Sequence, residues 1–250
     1  MNSMRRFFCA TAWCLILTGA LSACGGGGSG STPSVASPDV QAAVLKSGAW
    51  VVMGSSTAAG AGASQGKSWV ELLQSGVKNQ AIPFVNIAKG GTVTYHGLSA
   101  AAIPQSGRPL PDPAANIDQA LSRNPALLIL AYPTNDTALG YTVEETVNNL
   151  LSIRNQALAN SVSVMLLSTQ PRNLPSAQLA PLPLIDERLA AIAGPCFVEV
   201  RRGLAAANGQ LAALYDAGDG VHPNDEGHRL IATRIQAVLD GGRCVQTTPN

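Results

Sequence analysis

Four short clusters hold the polar residues able to do chemistry: Ser55-Ser56, Lys89-Gly90-Gly91, Thr134-Asn135-Asp136 and Asp219-Gly220-Val221-His222. Between them they supply hydroxyls, glycine backbone N–H groups, a carboxamide and an Asp/His pair. Those are the parts of acyl transfer: a nucleophile, donors for an oxyanion, a base, and a carboxylate that orients the base. A serine hydroxyl is a weak nucleophile until a base takes its proton, so the Asp219/His222 pair is what would make a serine reactive.

The elements that must position these clusters alternate in type. Short apolar runs of strand length and β-branched content occur at Ala49 to Met53, Phe84 to Ala88, Ala126 to Tyr132, Val162 to Leu167 and Phe197 to Val200. Helical patterns lie between them at Trp69 to Val77, Ala115 to Leu121, Val143 to Ala159 and Leu184 to Ile192. A last helix is expected from Pro223 to about Leu239, with Asp225 and Glu226 at its positive end and Gly241-Gly242 after it. Strand alternating with helix predicts a single three-layer α/β/α domain around a doubly wound parallel sheet, flavodoxin-like in architecture. In such a sheet the ligand site lies at the carboxyl ends of the strands, where the first three clusters fall. The proline-rich stretch from Gly97 to Pro113 follows the second strand and is a candidate wall for the substrate.

Taken in order, the clusters resemble the SGNH (GDSL-like) hydrolase family over nearly the whole chain after its leader. Gly54-Ser55-Ser56-Thr57 is similar to the family's first block, Asn86 through Gly91 to its glycine block, Thr134-Asn135-Asp136 to its Asn block, and Asp219-Gly220-Val221-His222-Pro223-Asn224 to its Asp-x-x-His block. The resemblance implies Ser56 as nucleophile, His222 as general base and Asp219 as its supporting carboxylate. It also implies an oxyanion hole made of the Ser56 N–H, the Gly91 N–H and the Asn135 side chain, with Gly90 as the alternative to Gly91. Two positions depart from the family pattern: Ser55 stands where an Asp that braces the loop is usual, and Pro133 stands where Gly is usual. The implied activity is hydrolysis of an ester through an acyl-enzyme, on short acyl (acetyl) esters of carbohydrates or small alcohols. Lysophospholipase or thioesterase activity, O-acyl transfer by the same triad, and a catalytically silent glycan-binding protein are the alternatives. No cofactor and no metal is implied.

Other residues repeat parts of these patterns. Asp225-Glu226-Gly227-His228 is a second Asp-x-x-His string, better explained by acidic residues at a helix start; Asp219, His222, Asp225 and His228 also form a weaker candidate metal set. Gly62-Ala63-Ser64-Gln65-Gly66 is a literal G-x-S-x-G, but that elbow needs a strand directly before its serine, and here a Gly/Ala loop precedes Ser64. His96 has no acidic neighbour in sequence. Arg172, after the fourth apolar run, is either a contact for a polar substrate or a surface arginine.

The chain of 250 residues opens with Arg5-Arg6, an apolar run from Phe7 to Leu21 and Ser22-Ala23-Cys24. This is a secretion signal, too short for a stable membrane span. Leu21 to Cys24 resembles the lipobox of bacterial lipoproteins, which implies cleavage after residue 23 and a lipid on Cys24. Gly25 after that cysteine favours the outer membrane by resemblance to Gram-negative sorting. Residues 24–48 then form the lipidated cysteine and a Gly/Ser/Pro tether, 49–244 the hydrolase domain and 245–250 a short tail. Charged residues make up only 12% of the chain and its net charge is +1, with no basic block, so nucleic acid is an unlikely partner on electrostatic grounds. The expected partners are a small-molecule or saccharide ester and the membrane, with the protein a monomer facing the periplasm or the surface.

Only Cys196 and Cys244 remain in the folded part. Cys196 opens the last strand at the amino-terminal edge of the sheet. The final helix runs back from the catalytic edge and delivers Cys244 to the same side, so the two are expected to pair.

Overall fold

A computed structural model describes residues 47–76, 79, 81–132 and 134–244. The signal segment, Cys24, most of the tether, Pro133 and the tail from residue 245 lie outside the described residues.

Five parallel strands form one sheet: β1 (Ala49–Gly54), β2 (Phe84–Asn86), β3 (Pro125–Ala131), β4 (Ser163–Leu167) and β5 (Phe197–Val198), in the order β2-β1-β3-β4-β5. The sequence Pro-Ala-Leu-Leu-Ile-Leu-Ala of β3 is buried from end to end, as a central strand covered on both faces must be. The helices are α1 (Trp69–Ser75), α2 (Thr94–Gly97), α3 (Ile117–Leu121), α4 (Asn135–Ala138), α5 (Val143–Ala159), α6 (Ser176–Leu179), α7 (Pro181–Ala193), α8 (Arg201–Leu204) and α9 (Asp225–Asp240). Helix α1 packs on α9, whereas α5 packs on α3 and α7. These two groups cover opposite faces, which makes the three-layer, doubly wound domain.

The chain leaves β1 for β2 on one side and returns to place β3 on the other. That reversal opens a crevice at the carboxyl ends of β1 and β3, where Gly54 pairs with Ala131. A Cβ on Gly54 would stand 2.4 Å from the Ala131 carbonyl oxygen, so glycine is what lets the two strand ends close together. The consequence is local: Ser55 and Ser56 emerge next to the turn that carries Asn135.

Helix α5 spans the residues expected of it because Thr142 and Glu145 cap each other's backbone at its start. Helix α9 begins two residues later than expected. Asn224, not the residue before Pro223, caps it by accepting from the Glu226 and Gly227 N–H groups, and Pro223 instead bridges to Asp216. Strand β2 ends at Asn86 and β5 at Val198, both shorter than their apolar runs, as is common for edge strands. The one-turn helices α2 and α4 have no periodicity long enough to be read.

Cys196 and Cys244 are joined in a disulfide, with Cα atoms 4.5 Å apart and 48 positions between them. Both are buried, and the bond ties the segment before β5 to the segment after α9, the helix next to His222. Closing a loop of this size corresponds to about 4 kcal/mol in the chain-entropy treatment. Cys244→Ser is therefore expected to lower the melting temperature by about 10 °C while leaving kcat at 25 °C nearly unchanged, a pair of values that thermal melts and ester kinetics would read together. An unchanged melting temperature would show that the bond adds nothing to stability.

Candidate active site

Ser56 lies in the turn that follows β1, and His222 in the loop that leads to α9, 166 positions later. Their side chains meet: the His222 Nε2 is 2.8 Å from the Ser56 Oγ, and the His222 Nδ1 is 2.6 Å from the Asp219 Oδ2. The other Asp219 oxygen accepts the backbone N–H groups of Val221 and His222, each at 2.8 Å. These bonds, the His222 backbone N–H foremost and then its ring, hold the Asp219 carboxyl down at about 2. Asp219 is thus a carboxylate near neutral pH, and its charge favours the imidazole form with Nδ1 protonated and Nε2 open to the serine proton.

Across the crevice, the glycine loop lies against the serine, since a Cβ on Gly90 would be 3.8 Å from that of Ser56. Gly91 takes a φ of +78°, a conformation that favours glycine. Among the described residues the Ser56, Gly90 and Gly91 N–H groups all lack an acceptor. Unpartnered backbone donors next to a reactive serine can stabilise an oxyanion. Below them Asn86 holds the turn: its Nδ2 donates to the Ala58 carbonyl at 2.7 Å and its Oδ1 accepts from the Ala88 N–H at 3.0 Å. The Thr92 hydroxyl fixes the other end by donating to the Gly54 and Lys89 carbonyls.

Asn135 opens α4 and completes the site from the β3 side. Its Nδ2 donates to the Ser55 Oγ at 2.7 Å and to the Thr92 carbonyl at 2.9 Å, and its Oδ1 accepts from the Arg172 Nη1 at 3.1 Å. The serine that replaces the family's usual aspartate therefore still braces the site, through Asn135. The neighbouring Asp136 points the other way, into the core, where it accepts from the Thr94 N–H and hydroxyl, and burial pushes its carboxyl up to about 6. Arg172 is neither a bare surface residue nor placed by sequence alone; its partner is 37 positions away.

The second Asp-x-x-His string is structural. His228 is fully buried, with Nδ1 accepting the Trp69 N–H at 3.1 Å and Nε2 donating to the Ala61 carbonyl at 3.0 Å. A neutral imidazole has one donor and one acceptor, and both are used, so His228 has no lone pair left for a serine. Burial also lowers its affinity for a proton. Asp225 accepts from the Ser64 N–H at 2.7 Å and from Lys67 at 3.0 Å. Ser64 is exposed in a turn, not at a strand end. The small residues of this loop serve close approach: a Cβ on Gly62 would be 2.2 Å from the Pro223 carbonyl and 2.9 Å from the His222 Cβ. His96 sits in α2, where its Nδ1 accepts the Val93 N–H.

A cavity of about 20 Å³ opens beside the serine, lined by Ser55, Ser56, Thr57, Ala131, Thr134, Asn135, Gln170, Arg172 and Val221. Contrary to expectation, none of its described lining comes from the 97–113 stretch. That stretch is tied at one point to the glycine loop of the site, by the Lys89–Asp112 pair at 2.7 Å, and at another to α5, by Arg108, which bonds Glu145 at 2.6 Å and covers the Tyr141 ring.

The GDSL-like lipase/acylhydrolase family matches residues 52–230, which include every residue of the crevice described above. A GDSL-like lipase from Bacteroides thetaiotaomicron has the same fold, with 22% identity and a TM-score of 0.57 over 80% of this chain and 91% of that one. The psychrotrophic esterase EstA from Pseudoalteromonas sp. superposes with 18% identity and a TM-score of 0.56, covering 78% of this chain and 97% of that one. A two-domain esterase described as active on acetylated mannans superposes with 18% identity and a TM-score of 0.53; 81% of this chain covers 50% of that one. None of the curated proteins matches. With the sheet, the strand-end clusters and the family match in agreement, the chain belongs to the GDSL-like lipase/acylhydrolase family and is a hydrolase of acyl esters.

Proposed function

We propose that the protein removes short acyl groups, acetyl above all, from carbohydrate or small-alcohol esters by way of an acyl-enzyme on Ser56. His222 takes the Ser56 proton as the Oγ attacks the ester carbonyl, and returns it to the departing alcohol. Asp219 holds the imidazole and stabilises its charged form. The oxyanion is met by the Ser56 and Gly91 N–H groups and by one Asn135 N–H. That last donor is engaged with the Ser55 hydroxyl at rest, a neutral acceptor that yields to an oxyanion more readily than a carboxylate would. Water then attacks the acyl-enzyme with His222 as base a second time.

The observation that carries the acyl length is the cavity beside Ser56. It is small, about 20 Å³, and polar groups of Asn135, Gln170 and Arg172 are among its lining, which supports a short acyl group. The esterase active on acetylated mannans, which shares the fold, supports the carbohydrate side of the reading. Across a series of p-nitrophenyl esters, kcat/KM is expected to be highest for acetate and to fall with each lengthening of the acyl chain. A maximum at eight carbons or more would replace this reading with a lipid hydrolase.

The acid side of the pH profile checks the base. Asp219 is already ionised and the proposed base must be neutral to take the Ser56 proton, so kcat/KM is expected to rise from acid toward neutral pH with the loss of a single proton. Asp136, pushed up to about 6, titrates close by, and Asp136→Asn separates the two. The acid limb should keep its position in that variant; its disappearance would assign the ionisation to Asp136.

The lipobox supports a lipid on Cys24 that anchors the domain to the bacterial membrane, the outer one by its Gly25, through the tether of residues 24–48. Cys24→Ser should release the protein from the membrane fraction.

A further inference from the structure

We infer that Arg172 is a positioning residue for the reaction, acting through Asn135: it holds the carboxamide with its oxygen toward the guanidinium and its N–H groups toward Ser55 and the Thr92 carbonyl, and polarises the N–H that would meet the oxyanion. The inference rests on Asn135 being an oxyanion donor, as proposed above. A guanidinium has donors only, so the carboxamide end facing it must be the oxygen, and Arg172 Nη1 lies 3.1 Å from Asn135 Oδ1. At the other end, the Thr92 carbonyl is an acceptor only and takes an N–H at 2.9 Å. The two partners together set the amide's orientation. Without Arg172 the Asn135 oxygen loses the one donor it has among the described residues, and the amide is held by its N–H contacts alone.

Arg172 is itself held against both halves of the machinery. On one side of it Gln170 Nε2 donates to the Val221 carbonyl at 2.8 Å, and on the other the Asn173 N–H donates to the Gly220 carbonyl at 2.7 Å. The segment after β4 is thereby laced to the Asp219–His222 loop, and Arg172 spans from that loop to Asn135. The charge is also uncompensated. No carboxylate among the described residues pairs with Arg172, and its Nε is buried without a hydrogen-bond partner. A positive group on the carboxamide oxygen strengthens the N–H bonds at the opposite end, because linked hydrogen bonds polarise one another. Arg172 forms and breaks no bond in the reaction.

A double-mutant cycle tests this, with p-nitrophenyl acetate as the probe and the full chain in detergent. Arg172→Ala is expected to lower kcat about tenfold, with KM within about twofold and Arg172→Lys recovering part of the loss. In an Asn135→Ala background the same change is expected to cost less than about twofold, since the group Arg172 acts through is gone. Effects that multiply across the two sites would overturn the inference, as would a rise in KM at constant kcat, which would make Arg172 a substrate contact, or no change at all. If Arg172→Ala does not fold by its thermal melt, Arg172→Gln, which keeps donors at that site without charge, takes its place in the cycle. Activity that survives Ser56→Ala would defeat the proposed function itself; loss on Ser56→Ala combined with a multiplicative Arg172 effect would defeat only this inference.

Discussion

Ser56→Ala is expected to reduce kcat on a short-chain ester by about 10³-fold or more while the protein melts at its normal temperature. The size follows from what the hydroxyl does. In the proposed reaction it forms the covalent bond to the acyl group, and its Oγ is the atom 2.8 Å from the His222 Nε2. No neighbouring hydroxyl can take its place there: the Ser55 Oγ is held by Asn135, and Ser64 is out in a turn, tied by its backbone to Asp225. The stability is spared because Ser56 is only partly buried and its side chain packs no core. Ser64→Ala should change kcat by less than about twofold. The opposite ranking of the two variants would move the nucleophile to the G-x-S-x-G string.

Asn135→Ala is expected to lower kcat by about 10²- to 10³-fold with little change in KM, the usual cost of losing one oxyanion donor. The carboxamide bonds Ser55, Thr92 and Arg172 at once, so its removal also leaves three groups without their partner. Asn135→Asp is a sharper probe, since it keeps the shape and reverses the role: a carboxylate at this position offers no N–H and repels the oxyanion. It should be at least as inactive as the alanine variant. A loss confined to KM would assign Asn135 to substrate binding.

The parts of this site that were legible in the sequence are those with local rules. The Asp219-x-x-His222 spacing is short enough for one turn to bring carboxylate and ring together, with the Val221 and His222 N–H groups closing the turn on Asp219. Helix α5 was legible to the residue because Thr142 and Glu145 form a reciprocal cap. Where two local rules competed, the reading failed by a small margin. Pro223 suits the first position of a helix, but Asn224 caps better, and the proline turns back to bridge Asp216. His228 repeats the catalytic spacing, and only burial between Trp69 and Ala61 distinguishes it from a base.

What was not legible depends on meetings between distant loops. Arg172 and Asn135 lie 37 positions apart, each at the end of a different strand, and nothing in either segment announces the other. The substitution at Ser55 is similar. Its sequence signal is a departure from the family, whereas in the structure it is an acceptor for the Asn135 amide. The Gly97–Pro113 stretch was placed near the site by its position in the chain, and what joins it there, the Lys89–Asp112 pair, is another meeting of distant residues.

The central claim is that Ser56 carries the acyl group. Incubating the full chain with a fluorophosphonate, digesting it and locating the adduct by mass spectrometry tests that claim without any assumption about the natural substrate. One phosphonyl group per molecule on the peptide containing Ser56, lost on denaturation before labelling and absent in Ser56→Ala, is the predicted result. An adduct on Ser64, or labelling that persists in Ser56→Ala, would contradict it.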